Sequence, residues 1–161
     1  MQWKAGRSVS LTLLLFCLTA CLCSCRGPRQ TSEPLVDLPA TNELHSIKCF
    51  AVGGVGYAGL MSEGEAAFRA VLASTNSLEY FKATLTNGTT EAKLYALVGI
   101  RLLSPPEFDS AAAPLLSSRV QAVTMSGCLV DHQRASSIVA RIKRGAYDSA
   151  FREHARNRVP G

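Results

Sequence analysis

The chain has 161 residues, of which 47% are apolar, so it is too apolar to be intrinsically disordered and long enough for one small core. Its 17 basic and 12 acidic residues give a formal net charge of +5, and the basic excess is largest over residues 131–161. We interpret that excess as a solvated helix face. No basic groove interleaved with aromatic residues accompanies it, and the sequence therefore argues against nucleic-acid binding.

The first 25 residues have the layout of an export signal. Lys4 and Arg7 precede an apolar run over residues 9–18, and small residues and cysteines follow. The apolar run is about half as long as the roughly 20 residues that a permanent membrane helix needs. We therefore predict that residues 1–20 are a signal peptide that is removed, which lowers the net charge to +3 because both basic residues leave with it.

The sequence Leu18-Thr19-Ala20-Cys21 resembles the lipobox of bacterial lipoproteins. The resemblance covers the leader alone. It implies thioether attachment of diacylglycerol to Cys21, cleavage after Ala20 and acylation of the new amino terminus. Several acyl chains hold a protein stably at a membrane, whereas a single chain holds it only marginally. The resemblance thus predicts a lipid-anchored protein of the cell envelope, with Cys21 as the lipidation site.

Two alternatives stay open for the leader. Leu22-Cys23-Ser24-Cys25 offers a second, poorer lipobox, and an ordinary secretory signal that happens to contain cysteine fits the same layout. If Cys21 is used, the residue after it is leucine rather than aspartate. For a Gram-negative cell, the resemblance then implies transfer to the outer membrane, facing the periplasm.

The mature chain divides into a tether and one domain. Residues 21–43 are polar and interrupted by proline, with no sustained apolar period, and we predict a lipid-anchored flexible tether. Residues 44–158 are predicted to form a single domain. The expected fold is mainly α, with about five to six helices and a short strand or hairpin element.

The domain begins with an extended segment over residues 47–52 that enters a glycine-rich loop over residues 53–59. Residues 54–59 match the pattern G-x-G-x-x-G, in which glycines let the backbone approach a pyrophosphate. We reject nucleotide binding, because no alternating strands and helices follow and no acidic residue ends a second strand. The glycines instead predict a turn or a tight packing site that needs positive φ or no side chain.

Three helices are expected next. Ser62 is predicted to cap the first helix and Ser77 to precede the second, which stops where Gly88 would allow a left-handed turn. Thr90 precedes the third helix, in which Gly99 permits the close approach of a neighbouring helix.

The last third of the domain contains both element types. Pro105-Pro106 is expected to end the third helix and to start a fourth. Residues 120–130 break the helical period and predict a strand or an irregular hairpin. Two further helices, separated by Gly145, close the chain.

Outside the leader the cysteines are Cys49 and Cys128. In an oxidising compartment this pair predicts a disulfide, which would tie the extended segment to residues 120–130 and stabilise the core by roughly 4 kcal/mol. A sharper hypothesis combines them with His45 and His132 as four zinc ligands. The spacing matches no standard zinc finger, and exported cysteines usually oxidise, so we predict the disulfide and no metal site.

We find no complete catalytic set, such as a Gly-x-Ser-x-Gly elbow with its partners, and no cofactor motif. We therefore predict a non-catalytic binding or accessory module that binds an unknown envelope protein. One alternative is an exported enzyme that uses Cys128 and His132, which requires a free thiol with the imidazole in reach. The other is a structural envelope lipoprotein that lies against the membrane or the cell wall through its basic C-terminal end.

Overall fold

The structure is a computed structural model that describes residues 43–156, with side chains as far as residue 152. The predicted signal peptide, the lipidation site Cys21 and the tether as far as residue 42 lie outside the described residues, as do residues 157–161. Residue 43, the last residue of the predicted tether, begins a single helical turn over residues 43–46.

The described residues are mainly helical, which confirms the predicted fold class. The helices, in chain order, are α1 (Glu63–Ala73), α2 (Ser77–Asn87), α3 (Thr90–Leu103), α4 (Phe108–Leu116), α5 (Ala135–Lys143) and α6 (Asp148–Arg156). A 3-10 turn over Pro105–Glu107 joins α3 to α4. This turn confirms that the two prolines end one helix and start the next.

Two antiparallel hairpins complete the fold. Strand β1 (Gly54–Val55) pairs with β2 (Leu60–Met61), and β3 (Gln121–Ser126) pairs with β4 (Leu129–Arg134). The second hairpin confirms the predicted hairpin and continues four residues beyond the predicted end, because the pairing runs from Ser126–Leu129 at the turn to Gln121–Arg134 at the base. Phe50 adds one parallel bridge to β3, opposite Thr124.

Helix α3 lies at the centre of the core. Its side chains Leu94, Tyr95, Leu97 and Ile100 are fully or almost fully buried, and α1, α2, α5 and α6 pack around it. The aromatic part of the core is centred on Phe68, whose ring lies 5.4 Å from Phe81, 5.7 Å from Tyr95 and 4.7 Å from Phe151, measured between centroids. Aromatic pairs at these separations add to the stabilisation that apolar burial gives.

One helix is capped by the predicted residue, and a second is capped one residue earlier than expected. The Ser62 hydroxyl accepts the Glu65 N–H over 3.1 Å, which confirms the predicted cap of α1. Helix α3 is capped by Thr89, one residue earlier than expected, whose hydroxyl accepts the Ala92 N–H. Ser77 is not a cap, since it is the first helical residue of α2 and is buried.

Gly88 ends α2 for a reason other than the predicted one. Its φ is −81°, so it does not adopt the left-handed conformation that a glycine cap usually supplies. A Cβ atom at this position would lie 2.8 Å from the Thr84 carbonyl oxygen and 3.0 Å from the Ala92 side chain. Glycine is required here because α2 and α3 meet too closely for a side chain.

Two buried carboxylates join the helices to the strand segments. Glu65 Oε2 accepts the Gly53 N–H over 2.7 Å, and its other oxygen pairs with Arg69 over 2.7 Å. Glu91 Oε1 accepts the Val123 N–H over 2.8 Å. Because hydrogen bonds to charged groups are stronger than neutral ones, these contacts fix the glycine loop and β3 against the first turns of α1 and α3.

Across residues 43–156, none of the helices combines the length and the apolar character needed to span a bilayer.

Candidate functional site

The structure does not show the predicted disulfide, since Cys49 and Cys128 both carry free thiols. Phe50 pairs with Thr124, so Cys49 lies beside Val123, five residues before Cys128. The three residues of strand from Val123 to Ser126 span roughly 10 Å and Cys128 lies beyond them in the turn, whereas a disulfide needs Cα atoms within about 7 Å of each other. A bond between the two cysteines would therefore require the β3–β4 hairpin to move.

The thiol and the imidazole of the alternative enzyme site lie apart on this hairpin. Cys128 occupies the two-residue turn, whereas His132 lies further along β4, opposite Val123. Four residues of strand correspond to roughly 13 Å, which is far beyond hydrogen-bonding distance. At the other cysteine, burial raises the pKa of the Cys49 thiol and the Glu91 carboxylate raises it further, so the reactive thiolate is disfavoured.

The four residues of the zinc hypothesis are not brought together. The His45 ring packs against Tyr80 with centroids 4.9 Å apart, and burial lowers the pKa of His45. His132 is exposed on β4. Throughout the described residues, no group of three or more His, Cys, Asp or Glu side chains is placed to hold a metal ion.

The glycine-rich loop forms the β1–β2 hairpin, which confirms its prediction as a turn. Gly53, Gly56 and Gly59 have φ values of +96°, +69° and +61°, in the region that glycine adopts without strain. A Cβ atom on Gly54 would lie 2.9 Å from the Gly59 carbonyl oxygen. Both predicted reasons for glycine, positive φ and lack of space, therefore operate in this loop.

The two hairpin tips expose large apolar side chains that sequence reasoning did not single out. Val55 forms a parallel bridge with Gly127, and the Gly56 N–H donates to the Gly127 carbonyl over 2.8 Å, so the tips lie side by side. The relative exposures are 102% for Tyr57, 67% for Leu60, 52% for Met61, 78% for Leu129 and 61% for Val130. We call these five residues the hairpin surface. Apolar side chains grouped and exposed in this way are typical of an interaction site.

An apolar groove of about 480 Å³ opens beside the hairpin surface. Leu60 and Met61 line the groove as well as belonging to the surface, and Ala51, Val55 and Met125 add apolar lining from the other strand segments. The groove therefore extends the hairpin surface inward and offers space for a side chain of a bound partner.

The outer edge of β4 is partly closed. The carbonyl of Val123 accepts the Phe50 N–H, and its own N–H donates to Glu91, so both groups point away from β4. In an antiparallel pair, the opposite residue His132 then directs its N–H towards the outer edge. Asp131 Oδ1 accepts that N–H over 2.8 Å. Because this donor is already occupied, the edge is disfavoured for pairing with a further strand at His132.

The groove beside the hairpin surface carries charges of both signs. Glu63, in the first turn of α1, and Lys48 both line it. The Asp131 carboxylate in β4 instead accepts the side-chain amide of Gln133 over 3.1 Å. A complementary partner would present an apolar centre with a basic and an acidic group at its margin.

A sequence signal for the hairpin surface does exist. Residues 57–61 and 129–130 contain large apolar side chains without a helical or strand period that would bury them. Comparison of the chain with protein-family models, with curated proteins and with solved structures finds no match. The functional conclusions therefore rest on the residues of this chain alone.

Proposed function

We propose that the chain is a lipid-anchored protein of the bacterial cell envelope whose domain binds a second envelope protein through the hairpin surface. The observation that carries the binding role is the exposure of five large apolar side chains on two adjoining hairpin tips. Leaving such side chains in water forgoes roughly 1.5–3 kcal/mol for each that a partner would fully bury. The surface is therefore better explained by a bound partner than by the stability of the isolated domain.

The anchoring part of the proposal is supported by the lipobox-like sequence that ends at Cys21. With lipid on this residue, the 21 residues from 22 to 42 would extend at most about 70 Å. The domain would thus search a layer close to the membrane, where the effective concentration of other membrane-bound proteins is high. In a Gram-negative cell this layer is the periplasmic face of the outer membrane.

Charge favours a protein partner over a lipid surface. The groove is lined by one acidic and one basic side chain, Glu63 and Lys48, and this mixture suits a protein partner with charges of both signs better than uniformly anionic headgroups. The occupied His132 N–H also disfavours strand pairing with a second copy of this chain at that point of the β4 edge. The partner we propose is therefore a different protein.

The proposal leaves Cys49 and Cys128 reduced and assigns them no chemistry. The separation between Cys49 and Cys128 along β3 argues against the disulfide tie. The separation between Cys128 and His132 along β4 argues against the enzyme alternative.

Site-specific photo-cross-linking tests the proposed interaction. A photoreactive amino acid in place of Leu60, introduced into the full chain in its native cells, should yield one discrete adduct with another protein. The change Leu129→Glu should reduce this adduct at least about tenfold, because a partner would have to desolvate an unpaired carboxylate. Immunoblotting measures the adduct, and mass spectrometry identifies its second component.

Val120→Glu is the matched control, since Val120 is 45% exposed but lies at the opposite end of the β3–β4 hairpin. We expect this variant to cross-link like the unmodified chain. Equal loss of the adduct in both variants would contradict the proposal. Adducts formed only with lipid or only with a second copy would contradict it as well.

A further inference from the structure

A small polar cavity lies on the side of β3 away from the groove. It has a volume of about 160 Å³ and is formed between the β3–β4 hairpin, the segment after Phe50, helix α5 and the turn before α6. Arg141, Gln133, Ser126 and Tyr147 contribute polar groups to its lining. The cavity shares Met125 with the apolar groove but no residue with the hairpin surface.

Arg141 differs from the other half-buried arginines of the described chain. Arg69 pairs with the Glu65 carboxylate over 2.7 Å, and Arg101 pairs with Asp148 over 3.1 Å. Arg141 has no carboxylate within 4.0 Å among the described residues, and its Nε is buried without an acceptor there. A buried charged donor without a partner is costly, so this guanidinium is the candidate for binding a ligand.

A hydrogen-bonded chain holds the Arg141 guanidinium in place. Its Nη2 donates to Gln133 Oε1 over 2.7 Å, and Gln133 Nε2 donates to Asp131 Oδ2 over 3.1 Å. A guanidinium can only donate and a carboxylate can only accept, so the amide of Gln133 has one consistent orientation. Gln133 therefore acts as a positioning residue that presents the arginine to the cavity.

Two further donors are available at the cavity. The side chains of Ser126, at the end of β3, and Tyr147, in the turn before α6, line the cavity and each carries a hydroxyl group. Burial raises the pKa of Tyr147, so its hydroxyl stays protonated and able to donate. Together with the Arg141 guanidinium, these groups give the cavity a set of donors beside its apolar lining.

We infer that this cavity binds a carboxylate group. A single guanidinium matches the charge of a carboxylate and can bind it in a planar, two-point geometry. Phe50, Val52 and Met125 add apolar lining, which suits a carboxylate carried on an apolar body. The source would be either a small organic acid or the C-terminus of a peptide with an apolar last residue. The inference does not depend on the hairpin surface being occupied.

Nuclear magnetic resonance of the arginine Nε–H groups tests this inference in the purified full chain, held in a non-ionic detergent. Addition of N-acetyl-leucine should shift the Arg141 Nε–H resonance in a saturable manner, with roughly millimolar affinity. N-acetyl-leucinamide, which lacks the charge, should leave the resonance in place. If acetate binds as tightly as N-acetyl-leucine, the ligand of the cavity is a small organic acid. If acetate binds more weakly, the ligand carries its carboxylate on an apolar body.

Arg141→Gln should weaken binding at least about tenfold, since hydrogen bonds to charged groups are the stronger class. Binding by this variant is followed through the backbone resonances of Ser126 and Gln133. Arg144→Gln changes an exposed arginine three residues further along the chain, outside the cavity. This variant should bind as the unmodified chain does. If Arg141→Gln fails to fold, Arg141→Lys is tested instead. This variant keeps the positive charge but lacks the planar two-point geometry of the guanidinium, so its affinity for N-acetyl-leucine should still fall.

Several results would overturn the inference. One is the absence of a saturable shift with both N-acetyl-leucine and acetate, and another is an equal shift with N-acetyl-leucine and N-acetyl-leucinamide. Tighter binding of inorganic phosphate than of either carboxylate would also overturn it. So would an equal loss of binding in the Arg141 and Arg144 variants.

Discussion

Gly99→Ala is expected to destabilise the protein by about 2–3 kcal/mol, because overpacking a filled core has a cost of this size. Gly99 lies inside α3, where the same replacement would normally stabilise a helix by about 1 kcal/mol. A Cβ atom on Gly99 would lie 2.3–2.6 Å from three carbons of the Phe81 ring. The Phe81 ring is fully buried and stacked on Phe68, so it cannot move aside without disturbing the aromatic core.

Denaturant unfolding measures the free energy of the Gly99→Ala variant. A double-mutant cycle with Phe81→Leu identifies the cause, since the smaller side chain leaves room for the added methyl group. We expect Gly99→Ala to cost about 1–2 kcal/mol less in the Phe81→Leu background than in the unmodified chain. A stabilised Gly99→Ala variant, or a cycle without coupling, would show that α2 and α3 do not meet at this residue.

Tyr95→Phe is expected to cost about 2–3 kcal/mol at neutral pH. The Tyr95 hydroxyl accepts the Ala51 N–H over 3.0 Å and donates to the Ala51 carbonyl over 2.5 Å. The carbonyl keeps a second donor in Ser62, but the buried N–H loses its partner. An unpaired buried donor costs about 1–3 kcal/mol, and the loss of the second hydrogen bond adds to this.

The same residue predicts a loss of stability in alkali. Burial raises the pKa of Tyr95 from 10.0 to about 12, so the folded state holds the phenolic proton more tightly than the unfolded state does. The resulting stabilisation is fully present below pH 10 and is lost as the pH rises towards 12. Two pH units correspond to about 2.7 kcal/mol.

The free energy of unfolding, measured between pH 8 and pH 12, should therefore fall less steeply in Tyr95→Phe than in the unmodified chain. Tyr57→Phe is the matched control because Tyr57 is fully exposed, and it should follow the unmodified curve. Parallel curves for Tyr95→Phe and the unmodified chain would contradict the buried position of the hydroxyl.

Local chemistry made much of the helical fold predictable. The Ser62 cap, the turn at the two prolines and the break at Gly145 depend on neighbouring residues, and the structure confirms each of them. Errors arise where packing between elements decides the conformation. Gly88 ends α2 without the predicted left-handed turn, and it is required because a Cβ atom would meet Thr84 of α2 and Ala92 of α3.

The site features were less predictable because they join distant parts of the chain. Glu65 and Glu91 have the first-turn positions typical of favourable helix-dipole charges, yet they also accept backbone N–H groups of Gly53 and Val123. Strand β4 is exposed along most of its length, so its sequence lacks the alternation of apolar and polar residues from which the length of the strand could be predicted. Arg141 becomes distinctive only because no carboxylate among the described residues lies opposite it.

We propose that lipid on Cys21 anchors this domain to the membrane, and the mature amino terminus tests that proposal most directly. Mass spectrometry of the N-terminal peptide from the full chain expressed in bacteria should find Cys21 as the first residue. The peptide should carry diacylglycerol on the sulfur and an acyl group on the amine, and Cys21→Ala should abolish both. An unmodified amino terminus at another residue, with the protein released from the membrane fraction, would contradict the account.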